Sequence, residues 1–169
     1  PVLRTPAERV TQIGGDLVQL VEDLAETMYA APGVGLAATQ VGVGRRVIVL
    51  DVHDEEEAPG KRLLKLINPE IAEREGEVLW EEGCLSVPDL TAPVKRARRV
   101  LVRAWTPDER EIEVEAEALL AVALQHEIDH LDGRLFLDRL SRLKRDLYRA
   151  RQRKLERQGR KGTGTRPLL

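Results

Sequence analysis

One stretch constrains this chain more than any other: Ala118-Leu119-Leu120-Ala121-Val122-Ala123-Leu124-Gln125-His126-Glu127-Ile128-Asp129-His130-Leu131. Leu and Ala are strong helix formers and Gly133 stands where helices commonly stop, so the segment predicts an α-helix over 118–131. Leu119, Val122, Ala123, His126 and His130 then share one side at three- and four-residue steps. His126 and His130 sit one above the other, able to share a metal ion. Glu127 lies about 100° further round the helix, an offset that suits a general base acting on a water rather than a ligand. Two histidines held by core hydrogen bonds would leave the same pattern, so the decision passes to the other donors.

A catalytic transition-metal site needs a third protein ligand and an open position. The longer form HExxHxxGxxH would supply a histidine at 136, where this chain has Phe136. His53 lies in an acidic loop, and the lone thiol, Cys84, lies in Glu81-Glu82-Gly83-Cys84-Leu85-Ser86. A single cysteine is often core filler, yet a thiolate beside two imidazoles is well matched to a divalent transition metal. Both readings stand at this point.

The remaining elements are shorter. Asp16 to Ala30 carries Leu17, Leu20, Val21, Leu24 and Met28 at helical spacing, with Asp16 and Gln19 spaced as a capping box and Pro32-Gly33 as the stop. Val47 to Val52 and Leu63 to Asn68 read as strands. Val100 to Trp105 and Glu111 to Glu115 flank a turn and read as a hairpin. After Ser141, a last helix with the apolar stripe Leu143, Leu147 and Ala150 runs into Arg and Lys before a frayed Gly159–Gly164 end. The fold expected is α+β: mixed or antiparallel strands around a central HExxH-bearing helix, with a C-terminal helix. Residues 1–140 form the catalytic body, and residues 141–169 a basic helix and tail of the same domain.

At 169 residues with 42% hydrophobic and 33% charged side chains, the chain can bury one core and has no apolar run of membrane-spanning length. A single cysteine excludes an internal disulfide, and no secretory leader opens the sequence, so a soluble protein of the reducing cytoplasm is expected, with an organellar setting also open. The net charge of −2 conceals an asymmetry. Arg142 to Lys161 carries 10 basic and 2 acidic residues, so an acidic body bears a basic tail.

Three motifs stand in order: Gly33-Val34-Gly35-Leu36-Ala37-Ala38-Thr39-Gln40, then Glu82-Gly83-Cys84-Leu85-Ser86, then Gln125-His126-Glu127-Ile128-Asp129-His130-Leu131-Asp132-Gly133. In this order and spacing the chain resembles the peptide deformylases, bacterial-type enzymes that remove the formyl group from N-formylmethionyl chains and release formate. The resemblance runs from Pro1-Val2-Leu3-Arg4, similar to the end of the family's opening strand motif, through about Leu140. It implies that Cys84, His126 and His130 ligate one divalent ion, ferrous iron in the cell, with Zn²⁺, Ni²⁺ or Co²⁺ as alternatives in purified protein. It implies that Glu127 is the acid and base, and that the Gln40 amide and the Leu85 backbone N–H receive the developing oxyanion. Val34 and Gly35 would meet the peptide, while Leu119, Val122 and Ala123 would wall a methionine pocket. Glu82 and Arg96 would pair beneath the Cys84 loop, or stand as two solvated charges. Asp129 supports a ligand or is an exposed carboxylate.

Three departures from the family pattern are visible. The family usually continues several residues before this start, Ala118 stands where it commonly has Gly, and Thr91 stands where some members have a peptide-binding Arg. The partners expected are formylated nascent peptides and ribosomal RNA, the latter through Arg149, Arg151, Arg153, Lys154, Arg157, Arg160 and Lys161. The sequence leaves the oligomeric state open, a monomer being favoured over an oligomer, and no membrane contact is expected. Two other classes fit the residues less fully: a metallopeptidase using Asp138 or Glu156 as third ligand, and a noncatalytic RNA-associated protein.

Overall fold

The computed structural model describes residues 2–31, 33–53 and 58–157. Pro1, Pro32 and the Gly159–Gly164 end, on which expectations were placed, lie outside the described residues. In chain order the elements are α1 (Gly15–Ala30), β1 (Gly35–Ala37), β2 (Val47–Leu50), β3 (Leu64–Glu75), β4 (Val78–Cys84), β5 (Val87–Arg96), β6 (Arg99–Trp105), β7 (Glu111–Glu117), α2 (Ala118–Leu131) and α3 (Arg142–Arg157). Among the described residues, no helix is long and apolar enough to cross a membrane.

Every strand pairing is antiparallel. A five-stranded sheet runs β1-β2-β3-β6-β7, and β4-β5 forms a separate two-stranded sheet. The sequence of β2, Val-Ile-Val-Leu, explains its place. Val47 and Val49 point to one side, where Leu17, Val21, Leu24 and Met28 of α1 pack against them with Leu36 and Ile67. Ile48 and Leu50 point to the other, against Val122, Leu124 and Ile128 of α2 with Leu66, Val100 and Val102. A strand covered on both faces reads as a continuous apolar run, and each such side chain contributes about 1.5–3 kcal/mol by burial.

β3 extends well past the expected Asn68, because a bulge lets pairing with β6 resume beyond Pro69. Asn68 takes a left-handed φ of 52° there. Its amide grips the Val10 backbone, accepting from the N–H and donating to the carbonyl, both at 2.8 Å.

Three local expectations are corrected. The helix α1 is capped by Gly14, not by an Asp16 and Gln19 box; Gln19 instead donates to Asp23 one turn on, at 2.8 Å. Val2–Arg4 is a single 3-10 turn rather than a strand. The stripe on α3 is not covered among the described residues: Leu143 and Leu147 are exposed, and Tyr148 instead reaches the body, donating to the Thr91 carbonyl at 2.8 Å. Ser141 does open α3, its backbone carbonyl accepting from Arg145 N–H at 3.0 Å.

α2 begins at Ala118 directly after β7, with no loop between, and Ala118 absorbs the turn at φ 51°. The helix ends under heavy cover. Gly133 has φ 71°, and a Cβ there would lie 2.7 Å from the Arg4 carbonyl oxygen, so only glycine fits. Ala7 N–H donates to the Leu131 carbonyl at 2.8 Å, and Arg46 places its cation by the helix end, 2.8 Å from Asp132.

Candidate metal centre

Ala121 through Leu131 are all buried. A helix buried all round is an ordinary core helix when apolar, but this one carries Gln125, His126, Glu127, Asp129 and His130 into the interior. Each must find a partner or remain costly. Gln125 does so by pairing its amide with the Ala97 backbone, accepting at 3.0 Å and donating at 2.9 Å, which docks the turn between β5 and β6. Asp129 accepts from Arg96 Nη1 at 2.5 Å and from Arg139 Nε and Nη2, each at 2.5 Å. It is a buried, partnered carboxylate and not an exposed one.

Glu82 and Arg96 are not solvated. Both side chains are fully buried and form a fork, Nε to Oε1 at 2.6 Å and Nη2 to Oε2 at 2.9 Å. The Arg96 guanidinium and His126 hold the Glu82 carboxyl below its usual range against the opposing effect of burial. Glu82 Oε2 in turn lies 2.9 Å from His126 Nδ1. A carboxylate on one ring nitrogen fixes the imidazole and leaves the other nitrogen for a ligand.

That other nitrogen is in company. His126 Nε2 lies 3.2 Å from His130 Nε2, which lies 3.3 Å from Cys84 Sγ. The ligand atoms of Cys84, His126 and His130 are all within 4.8 Å of one another, and all three residues are buried. Burial pushes the His126 imidazole down, but Cys84 and Glu82 outweigh it and hold it up at about 10. Burial and the charge on His126 push His130 down to about 3. One sulfur and two ring nitrogens converging in a dry interior match the donor set of a divalent transition ion. His53 is elsewhere, its Nδ1 3.4 Å from Asp51 Oδ1.

Two buried polar atoms beside this cluster have no hydrogen-bond partner among the described residues: Glu127 Oε2 and His130 Nδ1. Burial pushes the Glu127 carboxyl up to about 7. The acid is packed against β1, where a Cβ on Gly35 would lie 2.7 Å from Oε1, so glycine makes room for it. Gln40 stands in a 3-10 turn after β1. Its Oε1 accepts from Ala37 N–H at 2.8 Å, which aims Nε2 at Ser86 Oγ, 3.1 Å away, and toward Cys84 Sγ, 3.9 Å away.

Leu85 follows Cys84 in the turn joining β4 to β5 and is half-buried, as is Val34. Val122 and Ala123 pack in the main core, with Leu119 partly buried against it. Sequence reasoning missed Arg139, Ser86 and the structural use of Gln125. Ser86 and Gln125 had a signal, since both stand inside the quoted motifs, and Arg139 had none.

The family described as polypeptide deformylase matches residues 1–146. The chain belongs to the polypeptide deformylase family. A peptide deformylase of Syntrophobacter fumaroxidans is 51% identical over 154 residues, spanning 91% of this chain and 89% of that one. One from Thermodesulfovibrio yellowstonii is 53% identical over 148 residues, 88% of each. Among solved structures, a Legionella pneumophila peptide deformylase superposes with a TM-score of 0.83 at 44% identity, covering 95% of this chain and 94% of that one. The Ehrlichia chaffeensis enzyme in complex with actinonin gives 0.83 at 39% identity over 92% of both chains. The resemblance carried by the three motifs is thus borne out, and so is the α+β fold. As a polypeptide deformylase, the chain is a metal-binding hydrolase that removes the N-terminal formyl group in protein biosynthesis.

Proposed function

We propose that Cys84, His126 and His130 hold one divalent ion, ferrous iron in the cell, and that Glu127 moves the protons of formyl-amide hydrolysis. The observation that carries this is the meeting of three ligand atoms within 4.8 Å beside a buried, unpartnered carboxylate oxygen. Bound there, the ion would supply Lewis acidity and bring the pKa of a water toward neutrality. The thiolate and imidazole donors fit Fe²⁺ and equally Zn²⁺, Co²⁺ or Ni²⁺, so the family resemblance supports the choice of iron.

The protein's own groups do the rest. Glu127, pushed up to about 7, is balanced between accepting and giving a proton near neutral pH. It takes the proton of the attacking water and returns it to the α-amine, without which the amide nitrogen cannot leave. Charge collects on the former formyl oxygen in between. The Gln40 Nε2 donor, its amide already oriented by the Ala37 N–H, and the Leu85 N–H would receive it; losing one such donor costs about 3 kcal/mol. The peptide would lie along Val34 and Gly35, because β1 is the outer strand of its sheet. Leu119 is the pocket wall best supported by exposure, since Val122 and Ala123 are committed to the core.

The cytoplasm follows as the setting, because formylated chains emerge from ribosomes. The exposed Arg149, Arg151, Arg153 and Lys154 on α3 give a surface for ribosomal RNA; the Arg157 side chain, Arg160 and Lys161 lie outside the described residues. Unchanged ribosome co-sedimentation after deletion beyond Lys144 removes that partner.

The test of the main reading is elemental analysis of anaerobically purified protein together with formate release from formyl-Met-Ala-Ser. One equivalent of metal with turnover is expected. Glu127→Ala should keep the ion and lower turnover at least about 100-fold. Retained turnover in that variant refutes the role given to Glu127, and metal content unchanged in Cys84→Ala refutes the ligand set.

A further inference from the structure

We propose that Arg139, outside the family's three motifs, is a positioning residue for the metal centre, acting on His126 through Asp129, Arg96 and Glu82. The inference rests on the ligand assignment above. Glu82 and Asp129 bring two carboxylates into the interior, where the guanidinium groups of Arg96, wholly buried, and Arg139 lie against them. Buried charge is tolerated only when paired and hydrogen-bonded, and Arg139 gives Asp129 a counter-charge that it would otherwise share with Glu82 through Arg96 alone.

The geometry says what Arg139 does beyond neutralising. It grips both oxygens of Asp129, Nη2 on Oδ1 and Nε on Oδ2, each at 2.5 Å. Asp129 Oδ2 then takes only one donor from Arg96, Nη1 at 2.5 Å. Arg96 keeps Nε and Nη2 for Glu82, at 2.6 and 2.9 Å, and Glu82 keeps Oε2 on His126 Nδ1 at 2.9 Å. With Arg139 gone, Asp129 has an open oxygen and an unbalanced charge, and the nearest cation is Arg96. A guanidinium drawn toward Asp129 loosens its fork on Glu82, and His126 loses the acceptor that fixes its ring. The Arg139 side chain is 34% exposed, so the chain of contacts runs from the protein surface to a ligand.

Arg139 reaches Asp129 from the 3-10 turn Phe136–Arg139, one residue before the segment that leads into α3. The last structured piece of the body therefore sets the geometry at its centre. A lysine keeps the charge but not the fork, so Arg139→Lys separates the two contributions.

The experiment loads wild type, Arg139→Lys and Arg139→Met with Co²⁺ and follows release to a chromogenic chelator, with the thiolate-to-cobalt absorption and the thermal midpoint recorded on the same samples. Release about 10–100-fold faster in Arg139→Met, a partial effect in Arg139→Lys and a shifted absorption band are expected. A double-mutant cycle with Glu82→Gln should be non-additive, since both act through His126. A lowered midpoint with wild-type release rates and spectrum in both variants assigns Arg139 a purely structural role and overturns the proposal. Failure of wild type to bind one Co²⁺ overturns the ligand assignment together with it. Where Arg139→Met does not fold, the release rate and band of Arg139→Lys decide alone.

Discussion

Replacing Ala118 by glycine should stabilise the protein. Ala118 is the first residue of α2 and holds φ 51°, a left-handed conformation in which the Cβ crowds the following carbonyl. The cost to an L-residue is about 1–2 kcal/mol, and glycine escapes it. Against this, glycine widens the unfolded ensemble by about 0.4–1 kcal/mol. The Ala118 methyl is exposed, so no core contact is lost. At mid-range values of both the net gain is about 0.8 kcal/mol, which for a chain of this size raises the melting temperature by about 2–3 °C. Ala118→Val should move the other way, because a branched Cβ tolerates this φ least. Thermal unfolding followed by circular dichroism on the three proteins is the assay. An unchanged or lower midpoint for Ala118→Gly, or a Val variant as stable as wild type, refutes the argument that strain is held at the β7 to α2 junction.

Gly35→Ala puts a methyl 2.7 Å from Glu127 Oε1, so the acid must shift, and kcat/KM for formate release should fall on the order of 100-fold with the far-ultraviolet spectrum unchanged. Activity within threefold of wild type, ~0.6 kcal/mol, would count against the proposed contact. For Asp51, burial raises the carboxyl pKa, but hydrogen bonds from the Tyr29 hydroxyl and the Gly60 N–H outweigh it and hold the group below its usual range. Its stabilisation is therefore full above the unfolded pKa of about 3.9 and lost as the pH falls through the lower folded value. Asp51→Asn should cost about 1–3 kcal/mol at pH 7 and flatten the acid limb; identical midpoints at pH 7 and in acid for variant and wild type would contradict this.

Legibility in the sequence followed the physics of each element. The span of α2 was readable to its ends because Leu and Ala content, helical spacing and Gly133 agree, and the β6–β7 hairpin because a turn sequence separates two regular strands. The hairpin that carries Cys84 was not. In β4, Glu82 occupies a fully buried position that alternation assigns to an apolar residue, and its partner Arg96 lies fourteen residues on, at the end of β5. Pro88 and Pro93 argue against a strand in β5, yet among the described residues β5 pairs with β4 alone, which leaves its other edge without a ladder. The meeting of Cys84, His126 and His130 was legible through the motifs, while the Asp129 to Arg139 contact was not, since nothing local ties those two residues. On α3 the pattern of Leu143 and Leu147 reported a face without reporting whether anything covers it.

Cys84 and the two histidines come from parts of the molecule that share no strand: a separate two-stranded hairpin and a helix packed on the main sheet. An ion shared between them, as proposed, would work as a staple alongside the Arg96–Asp129 and Glu82–His126 contacts. Its release would let the 78–96 ribbon lift away while the body stays folded, so amide exchange in that ribbon should quicken well before exchange in α2.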